Sequence, residues 1–353
     1  MYNKIVQLKG ETNMIKKLFT IITSLFLLST NNFAERPLLI NGAGATFPYP
    51  LYSKWFVEYT KVDSSVNFNY QSIGSGGGIR QIMAETVDFG ATDGPMTDEQ
   101  LKQAPGELLH IPTVAGAVAV TYNLPDINIR LNFSPEVIAD IFLGKITKWN
   151  NEKILKDNPD INLPDKNIVV VHRSDGSGTT YIFTDYLSEV SVEWKSRVGK
   201  GTSVNWPVGL GGKGNEGVAG LISKTPYSIG YVELAYAVHN KLPYGAVKNK
   251  AGNFIVPNPT STTAAIASKR FTMPEDFRVS LVNPEGKDAY PIAGFTWLLV
   301  YKNIKDKAKG EKIVKFLKWA VNDGQKYAED LLYAPLPMDI VKLVEQKIRT
   351  IKY

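Results

Sequence analysis

The sequence predicts an α/β protein with mostly parallel sheets. Three observations carry that reading. A unit of apolar strand, Gly/Ser-rich loop and helix occurs three times, over residues 38–59, 66–85 and 168–187. Strand and helix patterns then keep alternating to the C-terminus. No low-complexity linker divides the chain, so any domain boundary must be made by strands that cross it. With 353 residues, 44% of them hydrophobic, there is material for two domains.

In the first unit Leu38-Leu39-Ile40 is a short strand, Asn41 to Pro48 the loop, and Leu51, Tyr52, Trp55, Phe56 and Tyr59 one helix face. Pro48 or Pro50 falls near that helix's first turn, where proline is tolerated. In the second, Val66 to Tyr70 alternates like a strand, Gly74-Ser75-Gly76-Gly77-Gly78 follows, and Ile79, Ile82 and Met83 continue at helical spacing. Val87 to Met96 reads as a strand ending in a turn, with Asp93 at the strand's end. Val114 to Tyr122, apolar and small, fits a buried strand crossing between lobes. Ser134-Pro135 opens a helix over Val137 to Phe142, with serine as its expected cap. The third unit runs from Ile168-Val169-Val170-Val171 through Arg173-Ser174-Asp175-Gly176-Ser177-Gly178-Thr179-Thr180 to Ile182, Phe183, Tyr186 and Leu187. Ser177 or Asp175 is placed to cap its helix. Residues 209–217 open another helix, 227–232 and 296–301 are strands, and 313–320 and 338–348 are helices.

Residues 14–34 read as a secretory signal. Lys16 and Lys17 precede an apolar core, Leu18 to Leu28, too short to span a bilayer. Asn32-Phe33-Ala34 is an imperfect cleavage site, since Asn stands at position −3. Met14 is then the start, and residues 1–13 an upstream extension. The net charge of +6 falls to +3 without residues 1–34, because four lysines and one glutamate lie there. So near-neutral a chain carries no electrostatic footprint for nucleic acid. There is no cysteine, which excludes disulfides, thiolate catalysis and a cysteine-linked lipid. An exported protein that folds without disulfides suits the periplasm.

The loop after Val171 presents backbone N–H groups, hydroxyls and the positive end of a helix dipole to one point. Arg173 adds a planar donor fork. The expected guest is a small anion. Thr46, Phe47, Ser75, Asp93, Arg173, Ser177, Gly178 and Thr179 form the candidate site, an oxyanion pocket shared by several loops. Taken singly, each Gly-rich loop is more often plain turn chemistry. Nucleotide readings fail on spacing: there is no G-x-x-x-x-G-K-[ST], and Gly74, Gly76 and Gly78 do not make G-x-G-x-x-G. Ser177 lacks the preceding glycine of a nucleophile elbow, and His110, His172 and His239 suggest no base. His172 is read as structural. Metal-ligand spacing is absent. Trp55, Trp149, Trp194 and Trp206 are read as core or hinge packing. No catalytic group, metal or cofactor is expected.

Five stretches carry a resemblance. Gly42-Ala43-Gly44-Ala45-Thr46-Phe47-Pro48, Gly74 to Gly78, Asp88 to Asp93, Asp175 to Thr179 and Gly209 to Asn215 resemble, in order, the signature segments of the periplasmic phosphate-binding proteins of ABC-type phosphate importers. The chain departs from that pattern at Gly76 and Thr92, where relatives often carry serine. The resemblance implies a two-lobed type II periplasmic-binding-protein fold, with mixed, mostly parallel sheets flanked by helices and the ligand cleft between lobes. It implies lobe 1 over residues 35–112 plus 289–353 and lobe 2 over 113–288. By position, the eight candidate residues become the phosphate contacts. The implied partners are inorganic phosphate and a membrane permease, with the chain a monomer that performs no chemistry on its ligand.

The residue types supply a mechanism for specificity. Hydrogen phosphate carries a proton, so an ionised Asp93 accepts from it, while sulfate has no proton to give. Arg173 is expected to neutralise ligand charge and to pair with Asp93. Another oxyanion, sulfate or molybdate, is the alternative guest, and a secreted phosphoester hydrolase a more distant alternative.

Overall fold

The computed structural model describes residues 36–269 and 272–353, so the expected leader lies outside the described residues. In chain order the elements are β1 (Leu38–Gly44), α1 (Tyr49–Thr60), β2 (Val66–Ser72), α2 (Ser75–Met83), β3 (Phe89–Thr92), α3 (Asp98–Gln103), β4 (Leu108–Tyr122), β5 (Asn132–Phe133), α4 (Pro135–Phe142) and α5 (Glu152–Asp157). They continue with β6 (Val169–Arg173), α6 (Gly178–Val190), α7 (Val192–Arg197), β7 (Leu210–Gly212), α8 (Gly214–Lys224), β8 (Ser228–Glu233), α9 (Leu234–His239), β9 (Ala246–Lys248) and β10 (Phe254–Ile255). The last are α10 (Pro259–Ala267), β11 (Ala293–Tyr301), α11 (Lys307–Val321) and α12 (Met338–Ile348). The three expected strand–loop–helix units are β1–α1, β2–α2 and β6–α6.

Eight strands form one sheet in the order β2-β1-β3-β11-β4-β8-β6-β7. The two pairings at each end are parallel and the three in the middle antiparallel. β4 joins the two sides. Its residues Leu108–Ala117 pair with β11, and Val118–Tyr122 turn to pair with β8. All fifteen of its residues are buried, as a strand covered on both faces must be.

β4 begins six residues before its predicted start. Pro112 and the polar His110 and Thr113 hide the earlier part, because proline argues against a central strand. The structure accommodates it with a register shift: Trp297 faces Pro112 while Thr296 faces Val114, leaving Thr113 as the extra residue of a bulge.

Each half has its own aromatic core. On the β1 side Phe68 meets Phe316 at 4.4 Å between ring centres and Phe56 at 5.1 Å. On the β6 side Phe183 stacks on Tyr231 at 4.2 Å and meets Phe142 at 4.7 Å. Trp55, Trp149 and Trp194 are fully buried, as the packing reading expects. Trp206 is half-buried and stacks on His172. Ser134 starts α4 but makes no side-chain cap; its N–H donates instead to Asp157 Oδ2 at 2.7 Å. In the 209–217 stretch a short strand, β7, precedes the helix, which begins at Gly214.

α2 lies close against the sheet because it begins with glycines. A Cβ added to Gly78 would stand 2.6 Å from Gly44 Cα and 2.7 Å from the Ala43 and Ala91 carbonyl oxygens. All three obstacles are backbone, so none can swing away. Gly78→Ala is therefore expected to lower unfolding free energy by about 2 kcal/mol or more, within the usual range for overpacking. Urea unfolding measures this, and an unchanged midpoint would show that α2 can lift from the sheet without loss.

Candidate functional site

The site is built where parallel strands of both halves end. β1 leads to Thr46 and Phe47, β2 to Ser75, β3 to Asp93, and β6 ends on Arg173 and leads to Ser177, Gly178 and Thr179. Crevices at the carboxyl ends of such strands are the usual ligand sites of open α/β sheets. All eight residues are buried, with Thr46 and Arg173, at 2% and 3% exposed, among them.

The loops of the two halves touch through backbone. Gly76 N–H donates to the Gly176 carbonyl at 2.8 Å. Ser75 Oγ accepts from Gly178 N at 3.0 Å and from Asp93 N at 3.2 Å, and lies 3.3 Å from Asp93 Oδ2. Gly178 can sit there only as glycine, since a Cβ would come within 2.4 Å of Asp93 Oδ2 and 2.6 Å of Asp93 N. Ser177 is the true cap of α6, its Oγ accepting from Thr180 N at 3.0 Å. Asp175, the other candidate cap, is engaged elsewhere.

Arg173 is held by that residue. Its Nε and Nη2 donate to the two Asp175 oxygens at 2.8 and 2.6 Å, and Nη1 donates to Thr179 Oγ1 at 3.3 Å. The expected direct pair between Arg173 and Asp93 is not formed, because a carboxylate two residues away on the same loop takes the fork. Arg173 reaches Asp93 only through its field. Burial works against an ionised Asp175, but the Arg173 guanidinium outweighs it and holds that carboxyl below its usual range.

Asp93 is different. Burial pushes its pKa up to about 7, against the opposing pull of the Thr296 hydroxyl, the Arg173 charge and Ser75. Thr296 Oγ1 donates to Asp93 Oδ1 at 2.9 Å. Asp93 is therefore held near half-protonation at neutral pH, where the sequence reading takes it as ionised.

Two site residues escape sequence reasoning. Asn215, at the start of α8, donates from Nδ2 to Thr46 Oγ1 at 2.8 Å and Thr179 Oγ1 at 3.1 Å, tying hydroxyls of the two halves together. It lies at the end of a signature stretch, which is the signal that could have found it. Thr296 lies on β11, remote in sequence from every loop of the site, and nothing local marks it. Three further aromatic hydroxyls brace the loops. Tyr236 Oη donates to the Thr46 carbonyl at 2.6 Å, Tyr333 Oη to the Phe47 carbonyl at 2.7 Å, and Tyr231 Oη accepts from Arg173 N at 3.2 Å. His172 is half-buried, with Nδ1 at 3.0 Å from the Arg173 carbonyl and burial lowering its pKa, which fits its structural reading. Among the described residues no cluster of potential metal ligands occurs.

Residues 31–323 match the family model for the PBP superfamily domain. The chain is 47% identical over 334 residues to the phosphate-binding protein PstS of Pasteurella multocida, covering 94% of this chain and 95% of that one. It is 48% identical over 307 residues to PstS of Xylella fastidiosa, covering 87% and 84%. The fold is similar to that of a phosphate-binding protein from Stenotrophomonas maltophilia, with a TM-score of 0.65 at 19% identity over 87% of this chain and 93% of that one. The sheet crossing at β4, the loops meeting at the strand ends and these matches agree: the chain belongs to the PstS family of substrate-binding proteins, within the PBP superfamily and its two-lobed type II fold.

Proposed function

We propose that the chain captures inorganic phosphate between its two halves and delivers it to the permease of an ABC-type phosphate importer. One observation carries the reading: a buried carboxyl, Asp93, stands among donors contributed by both halves, beside an Arg173 whose charge is already matched by Asp175. Such a site binds an oxyanion through N–H and O–H donors, and it holds one acceptor for the ligand's own proton. Thr46, Phe47, Ser75, Asp93, Arg173, Ser177, Gly178 and Thr179 are the proposed contacts, with Asn215 holding two of their hydroxyls in place. The proposed lobes are residues 35–112 plus 289–353 and residues 113–288, closing as a hinge. The proposed setting is the periplasm, with the chain monomeric; among the described residues no helix is long and apolar enough to cross a membrane.

Specificity follows from proton counting. Above pH 7 Asp93 is ionised and needs a donor, which hydrogen phosphate supplies and sulfate lacks. Thr296 and Ser75 already reach the carboxylate, but a sulfate oxygen set against it would put lone pairs and negative charges face to face in a buried site, at a cost of at least about 1–3 kcal/mol, so sulfate is rejected. Below pH 7 Asp93 carries its own proton and can donate to either anion. Titration of the phosphate-stripped protein by calorimetry is expected to show one-to-one phosphate binding with sulfate excluded at pH 8. Sulfate binding should then strengthen as pH falls from 8 to 5. Asp93→Asn should weaken phosphate by at least about tenfold and remove the pH dependence of sulfate rejection. A variant as selective as the wild type would take Asp93 out of this role, and a wild type that binds neither anion would overturn the proposal.

The same carboxyl affects stability without ligand. Its pKa is higher in the folded chain, about 7, than the ordinary 3.8 it regains on unfolding. Its contribution is therefore fully present below about pH 4 and is lost as pH rises to 7. Over that window wild-type stability should fall relative to Asp93→Asn by up to about 1.4 kcal/mol per pH unit. Thermal melts of the two proteins at pH 4.5 and 7.5 measure it; parallel curves would show Asp93 to be ionised throughout.

A further inference from the structure

Glu233 ends β8, paired with Val118 of β4 at the place where the two sides of the sheet meet. Its side chain is fully buried. Oε2 accepts from Ala235 N at 3.0 Å, capping α9, and lies 3.2 Å from Tyr333 Oη. Oε1 meets no hydrogen-bond partner. The Glu233 N–H donates to Asn215 Oδ1 at 2.9 Å, and Asn215 in turn holds Thr46 and Thr179. The residue stands directly behind the anion loops without belonging to them.

Tyr333 has one hydroxyl proton and two oxygen neighbours. The shorter contact, 2.7 Å, is to the Phe47 carbonyl, which can only accept. The proton therefore points at Phe47, and the face that Tyr333 turns to Glu233 is a lone pair. An ionised Glu233 would set lone pair against lone pair at 3.2 Å. A carboxylic acid sets a proton between them, while its hydroxyl oxygen still receives the Ala235 N–H.

We propose that Glu233 is kept as a neutral acid and acts as a positioning residue: it donates to Tyr333, Tyr333 donates to the Phe47 carbonyl, and this chain fixes the Thr46–Phe47 turn of the anion site. The surroundings favour the neutral form. The titratable groups facing it are Asp93 after β3, Tyr333 from the C-terminal segment and Tyr236 on α9, all acids. Arg173, whose field reaches Tyr236, is already paired with Asp175. Burial first, and the Asp93 charge with it, hold the Glu233 pKa well above its usual value despite the opposing hydrogen bonds. Neutrality also suits the site, since a charged carboxylate there would oppose the entry of an anion.

The affinity readout rests on the phosphate reading above; the proton assignment does not. Infrared spectra of the full protein at pH 8 are expected to show a protonated-carboxyl C=O band in the wild type that is missing in Glu233→Gln. At that pH Asp93 contributes little to the band. The amide of the variant cannot donate to Tyr333 and accept from Ala235 N–H with one atom. Glu233→Gln and Tyr333→Phe are therefore each expected to weaken phosphate binding by about tenfold, with far-ultraviolet circular dichroism unchanged. Identical carboxyl bands in wild type and Glu233→Gln would overturn the proton assignment. Wild-type phosphate affinity in both variants would overturn the positioning role. A wild type that shows the band yet takes up no phosphate would support the neutral acid and overturn the phosphate reading instead.

Discussion

Backbone meeting backbone is the constraint on which this site depends. The Gly76 N–H to Gly176 carbonyl bond, and the seat of Gly178 against Asp93, bring the loops of the two halves closer than side chains allow. That closeness is what lets Ser75, carried by one half, take the first amide of α6, carried by the other. It is also what dries Asp93. A residue with a Cβ at position 178 would not merely crowd the loop; it would part the halves and readmit water, and the raised carboxyl pKa would relax with it.

The charges follow the same economy of space. A bidentate Arg173–Asp175 pair with the guanidinium side chain 1% exposed balances the two charges against each other. Removing one partner of such a pair is far more damaging than the pair is stabilising, because the survivor is left buried and alone. Asp93 lacks an equivalent partner and has only hydroxyls about it. The contrast between the half-buried Asp175, held low by Arg173, and the fully buried Asp93, pushed up, is the electrostatic signature of the site.

Much of this is legible in the sequence, and what is not has physical reasons. The three strand–loop–helix units stand out because their apolar periodicity is strong and their loops are rich in glycine. The eight candidate residues fall together because each lies at the end of a strand or in the loop and first helical turn that follow one. β5, β9 and β10, two or three residues each, are too short to show any period. α3 carries a capping-box signature in Thr97 and Gln100, yet none of its residues is buried, so no apolar stripe announces it. Thr296 and Tyr333 reach the site through tertiary packing alone. The Asp93 pKa was beyond reach for the same reason: burial belongs to the folded chain, not to the residue.

β4 has a consequence for how the molecule assembles. Neighbouring positions on this strand find partners on different strands far along the chain: Ala117 faces Ala293 of β11, and Val118 faces Glu233 of β8. Neither pairing can form until long stretches between them have been gathered in, and that entropy must be spent before the contacts return anything. Folding of this topology is thus governed by non-local encounters and belongs to the slow class. The β1–β2 pairing, by contrast, joins segments close in sequence, so the central antiparallel strands rather than the sheet's edge set the slow step.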